Sequence, residues 1–145
     1  MRNNLLPLAG ITALFVALFI GIPAKSAEPD ARLLNALVWV ESSRNEKAVG
    51  DSGKAVGLLQ LHKIYVDDVN RILGKKRYSY TDRWNPQKSV EMAMVYLKHY
   101  GRRYERLTGK KASYEILARI HNGGPNGWKK AGTTVYWRKV RKHLN

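Results

Sequence analysis

Glu41 closes an apolar stripe. Behind Asp30, a residue type that caps helix N-termini, Leu34, Leu37 and Val38 recur at helical spacing, and one further turn lands on Glu41. Partial loss of water disfavours a charged carboxylate in such a setting, and a carboxyl that keeps its proton near neutral pH can serve as a general acid. Ten positions on, Asp51 lies in the polar, turn-forming run Gly50-Asp51-Ser52-Gly53. That run is also an ordinary turn, because Asp bonds the backbone two residues on and Gly accepts positive φ. Two carboxyl groups in unlike surroundings suit glycosidic-bond chemistry: one protonates the leaving oxygen, the other attacks or stabilises the sugar.

Further residues could line a sugar cleft. Gly57 would let backbone approach a sugar ring, and the Gln60 amide offers both a donor and an acceptor to an N-acetyl or hydroxyl group. The run Glu41-Ser42, then Gly57-Leu58-Leu59-Gln60, then Ala118-Arg119-Ile120-His121-Asn122-Gly123-Gly124-Pro125 resembles the ordered motifs of the lysozyme-like superfamily. The first two are shared with soluble lytic transglycosylase domains. The third, with Tyr136-Trp137-Arg138-Lys139-Val140 and the segment from Gln60 to Tyr65, resembles the invertebrate-type, destabilase-like lysozymes. The resemblance covers Leu33 to Leu144. It implies a mainly α, lysozyme-like domain with Glu41 and Asp51 as catalytic residues. Gly57, Gln60, Tyr65, His121, Asn122 and Gly123 would then bind substrate.

Two departures accompany it. Invertebrate-type lysozymes are typically rich in disulfides, whereas this chain has no Cys, so its stability must come from packing. The transglycosylase pattern usually has Tyr before the Asn where this chain has His121, which favours the invertebrate-type branch. Some destabilase-like proteins also cleave isopeptide bonds with a Ser and His pair, for which Ser52 and His121 are the candidates. A His ending a helix has a plainer use as a favourable C-terminal charge.

The elements that must position these residues are mostly helices. After the first, the spacing predicts a helix over Leu61 to Leu73, stopped by Gly74, and then a basic, aromatic loop from Lys75 to Arg83 with Tyr78 and Tyr80 available to border a cleft. Asn85-Pro86 is a strong helix start. The stripe Val90, Met94, Leu97, Tyr104 and Leu107 then predicts one long central helix ended by Gly109, with Gly101 as a point of interruption. Ser113 caps a helix from Tyr114 to His121 with Ile116, Leu117 and Ile120 inward. Asn122 to Gly127 is a turn. Thr133 is expected to cap a last helix carrying Tyr136, Trp137, Val140 and Leu144. Lys47 to Leu58 has room for a small β-hairpin.

Residues 1–27 look like a secretory signal peptide: Arg2, an apolar run from Leu5 to Ile22, and small residues at 24–27 suited to cleavage. An uncleaved anchor is the alternative, since the run approaches the roughly 20 residues of a membrane span. Residues 28–145 suffice for one domain, without repeat or linker. The charge is extreme, with 26 Lys and Arg against 11 Asp and Glu. For an exported protein it points to anionic cell-wall polymers, although a solubilising surface would show it too. Neither the four His nor the Gly-rich turns have metal-site or phosphate-loop spacing, so no metal and no cofactor is expected.

The expected molecule is a secreted or periplasmic monomer that cleaves peptidoglycan, or a chitooligosaccharide-like glycan, at the β-1,4 bond between N-acetylmuramic acid and N-acetylglucosamine. The bond is what the resemblance implies. A lytic transglycosylase forming 1,6-anhydromuramyl ends is the enzymatic alternative, and a non-catalytic basic wall-binding protein the alternative of another class. A specific nucleic-acid partner is not expected, for lack of a groove-reading motif. Nor is stable membrane insertion once the leader is removed.

Overall fold

In the computed structural model, which describes residues 28–144, five α-helices are accompanied by a short hairpin. Helix α1 (Ala31–Ser42) starts where the Asp30 carboxylate accepts from the Leu33 amide, and it ends at Ser43 in the left-handed conformation. It buries Leu33, Leu34, Ala36, Leu37 and Val38, so Glu41 arrives in the last turn at the edge of the core. A two-residue antiparallel pair follows, β1 (Val49–Gly50) with β2 (Ala55–Val56), joined by a tight 3-10 turn over Asp51–Gly53. The expected hairpin therefore forms within Lys47 to Leu58.

Helix α2 (Lys63–Leu73) begins two residues later than the periodicity predicts, because Leu61 is held in a bridge to Val56. Past it, Tyr78 is not available to a cleft: it is buried and its hydroxyl donates to Glu91. Tyr80 is exposed and donates to Asp67.

Asn85 caps α3 (Pro86–Thr108), which continues through Gly101 without interruption. That glycine is a packing residue, since a Cβ there would come within 2.8 Å of the Leu117 side chain. The buried face of α3 is Ser89, Met92, Ala93, Tyr96, Leu97, Tyr100, Gly101 and Tyr104. It is rotated from the expected stripe, leaving Val90 and Met94 partly covered and Leu107 exposed. The rotation brings Tyr96 and Tyr100 onto α2, where Tyr96 stacks on Tyr65 with ring centres 3.9 Å apart.

Ser113 caps α4 (Tyr114–Gly123), which runs two residues past His121, and Ile116 is only partly buried. Helix α5 (Thr133–Arg141) does not use Thr133 as its cap. Instead Thr133 is buried, accepts from Arg119 Nε, and lies within hydrogen-bond distance of the Gly127 and Lys130 carbonyls, tying down the preceding turn. Helix α5 packs on α4 and α1, which sets the last helix beside Glu41. The fold is mainly α with one small sheet. Among the described residues no helix is long and apolar enough to cross a membrane. The expected leader and its cleavage region, residues 1–27, lie outside the described residues.

Candidate active site

Glu41 gains its partners from helices distant in sequence. The Tyr136 hydroxyl on α5 donates to Glu41 Oε1 at 2.6 Å, and Nε2 of His121 on α4 lies 3.5 Å from the same oxygen. Burial, followed by the Glu41 charge and the hydrogen bond to it, pushes the Tyr136 phenol well above its usual range. Tyr136 thus remains a neutral donor. His121 is buried, and its Nδ1 is 3.4 Å from the Tyr65 hydroxyl on α2. Burial also pushes Tyr65 up, reinforced by Tyr96 and Glu41. A phenol can donate to Nδ1 or accept from it, and only the tautomer with its hydrogen on Nε2 turns an imidazole donor toward Glu41. Both contacts fall on Oε1. Oε2 has no hydrogen-bond partner among the described residues.

This cluster forms one wall of a cleft of about 630 Å³. Glu41, Gln60, Tyr65, His121 and Asn122 all line it, so five of the residues expected from sequence are brought together. The other three lie outside its lining. Asp51 is on the exposed hairpin turn and pairs at 3.4 Å with His62 Nε2, and it is His62 that lines the cleft. Gly57, at φ +76°, faces the backbone of the Tyr80–Trp84 turn, where an added Cβ would lie well inside contact distance of the Arg83 carbonyl oxygen. Gly123 packs on Thr133, while its neighbours Gly124 and Pro125 reach the cleft.

Gln60 Nε2 donates to the carbonyls of Ala48 (3.0 Å) and Gly57 (2.9 Å), bracing the hairpin from the cleft side. Strained backbone concentrates nearby. Asp51, Ser52 and Gln60 all adopt positive φ without being glycine, which costs about 1–3 kcal/mol each and is typical of sites shaped by function. Ser52 sits on the exposed turn, whereas His121 is engaged by Tyr65 and Glu41; no hydrogen bond between Ser52 and His121 occurs among the described residues.

Four contributors were given no role from sequence: Tyr136 and His62, which lie within the motifs that carry the resemblance, and Asp68 and Tyr96, which do not. The Asp68 carboxylate lines the cleft and is held by Arg71 at 2.6 Å and the Tyr100 hydroxyl at 2.8 Å, a fixed acceptor opposite the α4 side. Its position on α2 after Tyr65 was the available signal. Tyr136, 95 positions from Glu41, had none in spacing. No group of three or more His, Asp or Glu placed to hold a metal occurs among the described residues. A carboxyl held by a phenol donor in the wall of an open cleft, with an imidazole beside it, is an arrangement that can exchange a proton with a bound polymer.

Comparison with known proteins agrees with this geometry. The Transglycosylase SLT domain family model matches residues 19–144. Among curated relatives, Lysozyme 1 of Crassostrea virginica is 50% identical over 42 residues, covering 29% of this chain and 23% of its own length. A lysozyme of Ostrea edulis is 33% identical over 85 residues, covering 59% of this chain and 57% of its own. Invertebrate-type lysozyme 6 of Caenorhabditis elegans is 40% identical over 55 residues, covering 36% and 39%. The matches thus span 23% to 57% of these relatives' own lengths. Among solved structures, Aeromonas hydrophila PliI in complex with Meretrix lusoria lysozyme aligns at TM-score 0.64 and 26% identity, covering 78% of this chain and 88% of that one. Tapes japonica lysozyme aligns at TM-score 0.64 and 24% identity, covering 78% and 89%, a likeness of fold.

Proposed function

The chain belongs to the transglycosylase SLT-domain family within the lysozyme-like superfamily, and from that premise we propose that it is an exported peptidoglycan-cleaving enzyme with Glu41 as general acid. The observation that carries the reading is the Glu41 carboxyl at the cleft wall with Oε1 bound by Tyr136. The glycan strand lies along the cleft with a β-1,4 linkage between N-acetylmuramic acid and N-acetylglucosamine at Glu41. Oε2–H protonates the bridging oxygen as the C–O bond breaks, and the Tyr136 hydroxyl and His121 Nε2–H stabilise the carboxylate that forms. Positive charge that develops on the muramyl ring is opposed by that carboxylate. Water, deprotonated by Glu41, then completes hydrolysis and restores the acid.

Asp51 is the second carboxylate of this reading. It reaches the cleft through His62, and closure of the strained hairpin on substrate would bring it nearer the muramyl ring. The family description supports a second reading. In a lytic transglycosylase the muramyl 6-hydroxyl replaces water, Glu41 takes its proton, and no second carboxylate is required. The exposure of Asp51 favours this alternative, whereas His121 in place of Tyr favours hydrolysis. Digestion of purified peptidoglycan followed by mass spectrometry separates them. We expect reducing, hydrated muropeptides, with Asp51→Asn lowering turnover on the order of 100-fold, about 2.7 kcal/mol. Mainly 1,6-anhydromuramyl ends, with Asp51→Asn nearly as active as the parent, would establish the transglycosylase.

A further inference from the structure

The last acidic residue of the chain is Glu115, and seven Lys and Arg follow it. Of these, Arg119 pairs with Glu115, but Arg138, Lys139, Arg141 and Lys142 at the end of α5 make no ion pair among the described residues. The α5 end is joined to the outward face of α1, away from Glu41. The His143 ring stacks on Trp39, centres 5.9 Å apart and 11° from parallel, while Arg44 lies 5.1 Å over the Trp39 ring. Arg32 Nη2 donates to the Leu144 carbonyl at 2.9 Å, fixing the C-terminal residues against α1. Trp39 nevertheless remains 42% exposed. Glu46, which shares a shallow groove with Arg44, is the acid at this edge.

We propose that Arg44, Trp39, Arg141, Lys142 and His143 form a docking surface for a linear polyol-phosphate polymer of the cell-wall type. Each guanidinium can grip a phosphate with two parallel hydrogen bonds, and ammonium groups add charge without fixed geometry. The half-open indole offers a flat face to the polyol carbons between phosphates. Charge complementarity selects a polyanion. A lipid surface is disfavoured because the patch presents one aromatic ring, already flanked by Arg44 and His143, and no apolar stripe to insert. Since α5 also carries Tyr136, a polymer held here would be tethered beside the cleft, yet the surface rests on its own residues and not on the reaction assigned to Glu41.

The test is titration with poly(glycerol phosphate) of defined length at low salt, read by Trp fluorescence. Arg141→Glu with Lys142→Glu should raise Kd at least about tenfold, whereas Lys110→Glu with Lys111→Glu, the same charge change on the loop after α3, should raise it less than about threefold. Thermal unfolding shows that both variants are folded, independently of enzymatic activity. Trp39→Phe should abolish most of the fluorescence change. Equal weakening by the two double variants, or none by the first, would overturn the site. So would tighter binding to phosphatidylglycerol vesicles than to the polymer at equal phosphate.

Discussion

Tyr136 changes what Glu41 can do, although the two are 95 positions apart in sequence. A hydrogen bond to an ionised carboxylate contributes about 1.5–3 kcal/mol, and under the proposed mechanism it would strengthen as Glu41 gives up a proton. Tyr136→Phe keeps the ring and deletes that donor, so kcat should fall roughly 10- to 100-fold with KM little changed. Glu41→Gln keeps the shape and removes the proton, and should abolish nearly all cleavage while unfolding remains normal. Steady-state kinetics on soluble peptidoglycan fragments check both. A Glu41→Gln protein with more than about a tenth of parent turnover, a loss of only ~1.4 kcal/mol, would remove Glu41 from its role. A rise in KM alone for Tyr136→Phe would make that tyrosine a binding residue. At this scale His121 also differs from the plainer sequence expectation of a helix-end charge. It is buried edge-on to Tyr65, with Nε2 3.5 Å from Glu41 Oε1.

The elements divide by how local their causes are. Helices α1, α3 and α4 were legible because Asp30, Asn85-Pro86 and Ser113 act within one turn of themselves, and each caps where expected. The buried face of α3 was not, because a wide apolar surface lets partners choose its rotation, and here the partner is α2 with Tyr65. The start of α5 was misread because Thr133 spends its hydroxyl on a tertiary turn. Of the cleft lining, Glu41 could be picked out from the stripe, and Gln60, Tyr65, His121 and Asn122 from the motifs. The setting of Asp51 could not, since it depends on three successive residues with positive φ. Gly57 tests how the hairpin is anchored. Gly57→Ala adds roughly 1–2 kcal/mol of left-handed backbone cost plus a collision with the Arg83 carbonyl, and should lower thermal stability more than Gly53→Ala. Gly53 has the same backbone sign with open space around it, so it measures the backbone cost alone. Equal shifts in unfolding temperature would mean that the Tyr80–Trp84 turn gives way freely and does not brace the cleft.

On the scale of the molecule, a cleft of modest charge belongs to a chain with 26 Lys and Arg against 11 Asp and Glu. The cleft lining carries the carboxylates of Glu41 and Asp68 and no Lys or Arg, so a neutral oligosaccharide meets little of the surface field. An anionic wall meets all of it. Screening separates the two, because the Debye length shrinks from about 30 Å at ~0.01 M salt to about 3 Å at ~1 M. Lysis of wall suspensions should therefore slow on the order of tenfold or more across that range, through weaker association. Cleavage of a short neutral chitooligosaccharide should change less than about twofold. The two rates, measured in parallel against salt, report on different layers of the same protein. If both fell together, the basic surface would be acting on the chemistry itself or on stability, and the surplus charge would have no role in bringing the enzyme to its polymer.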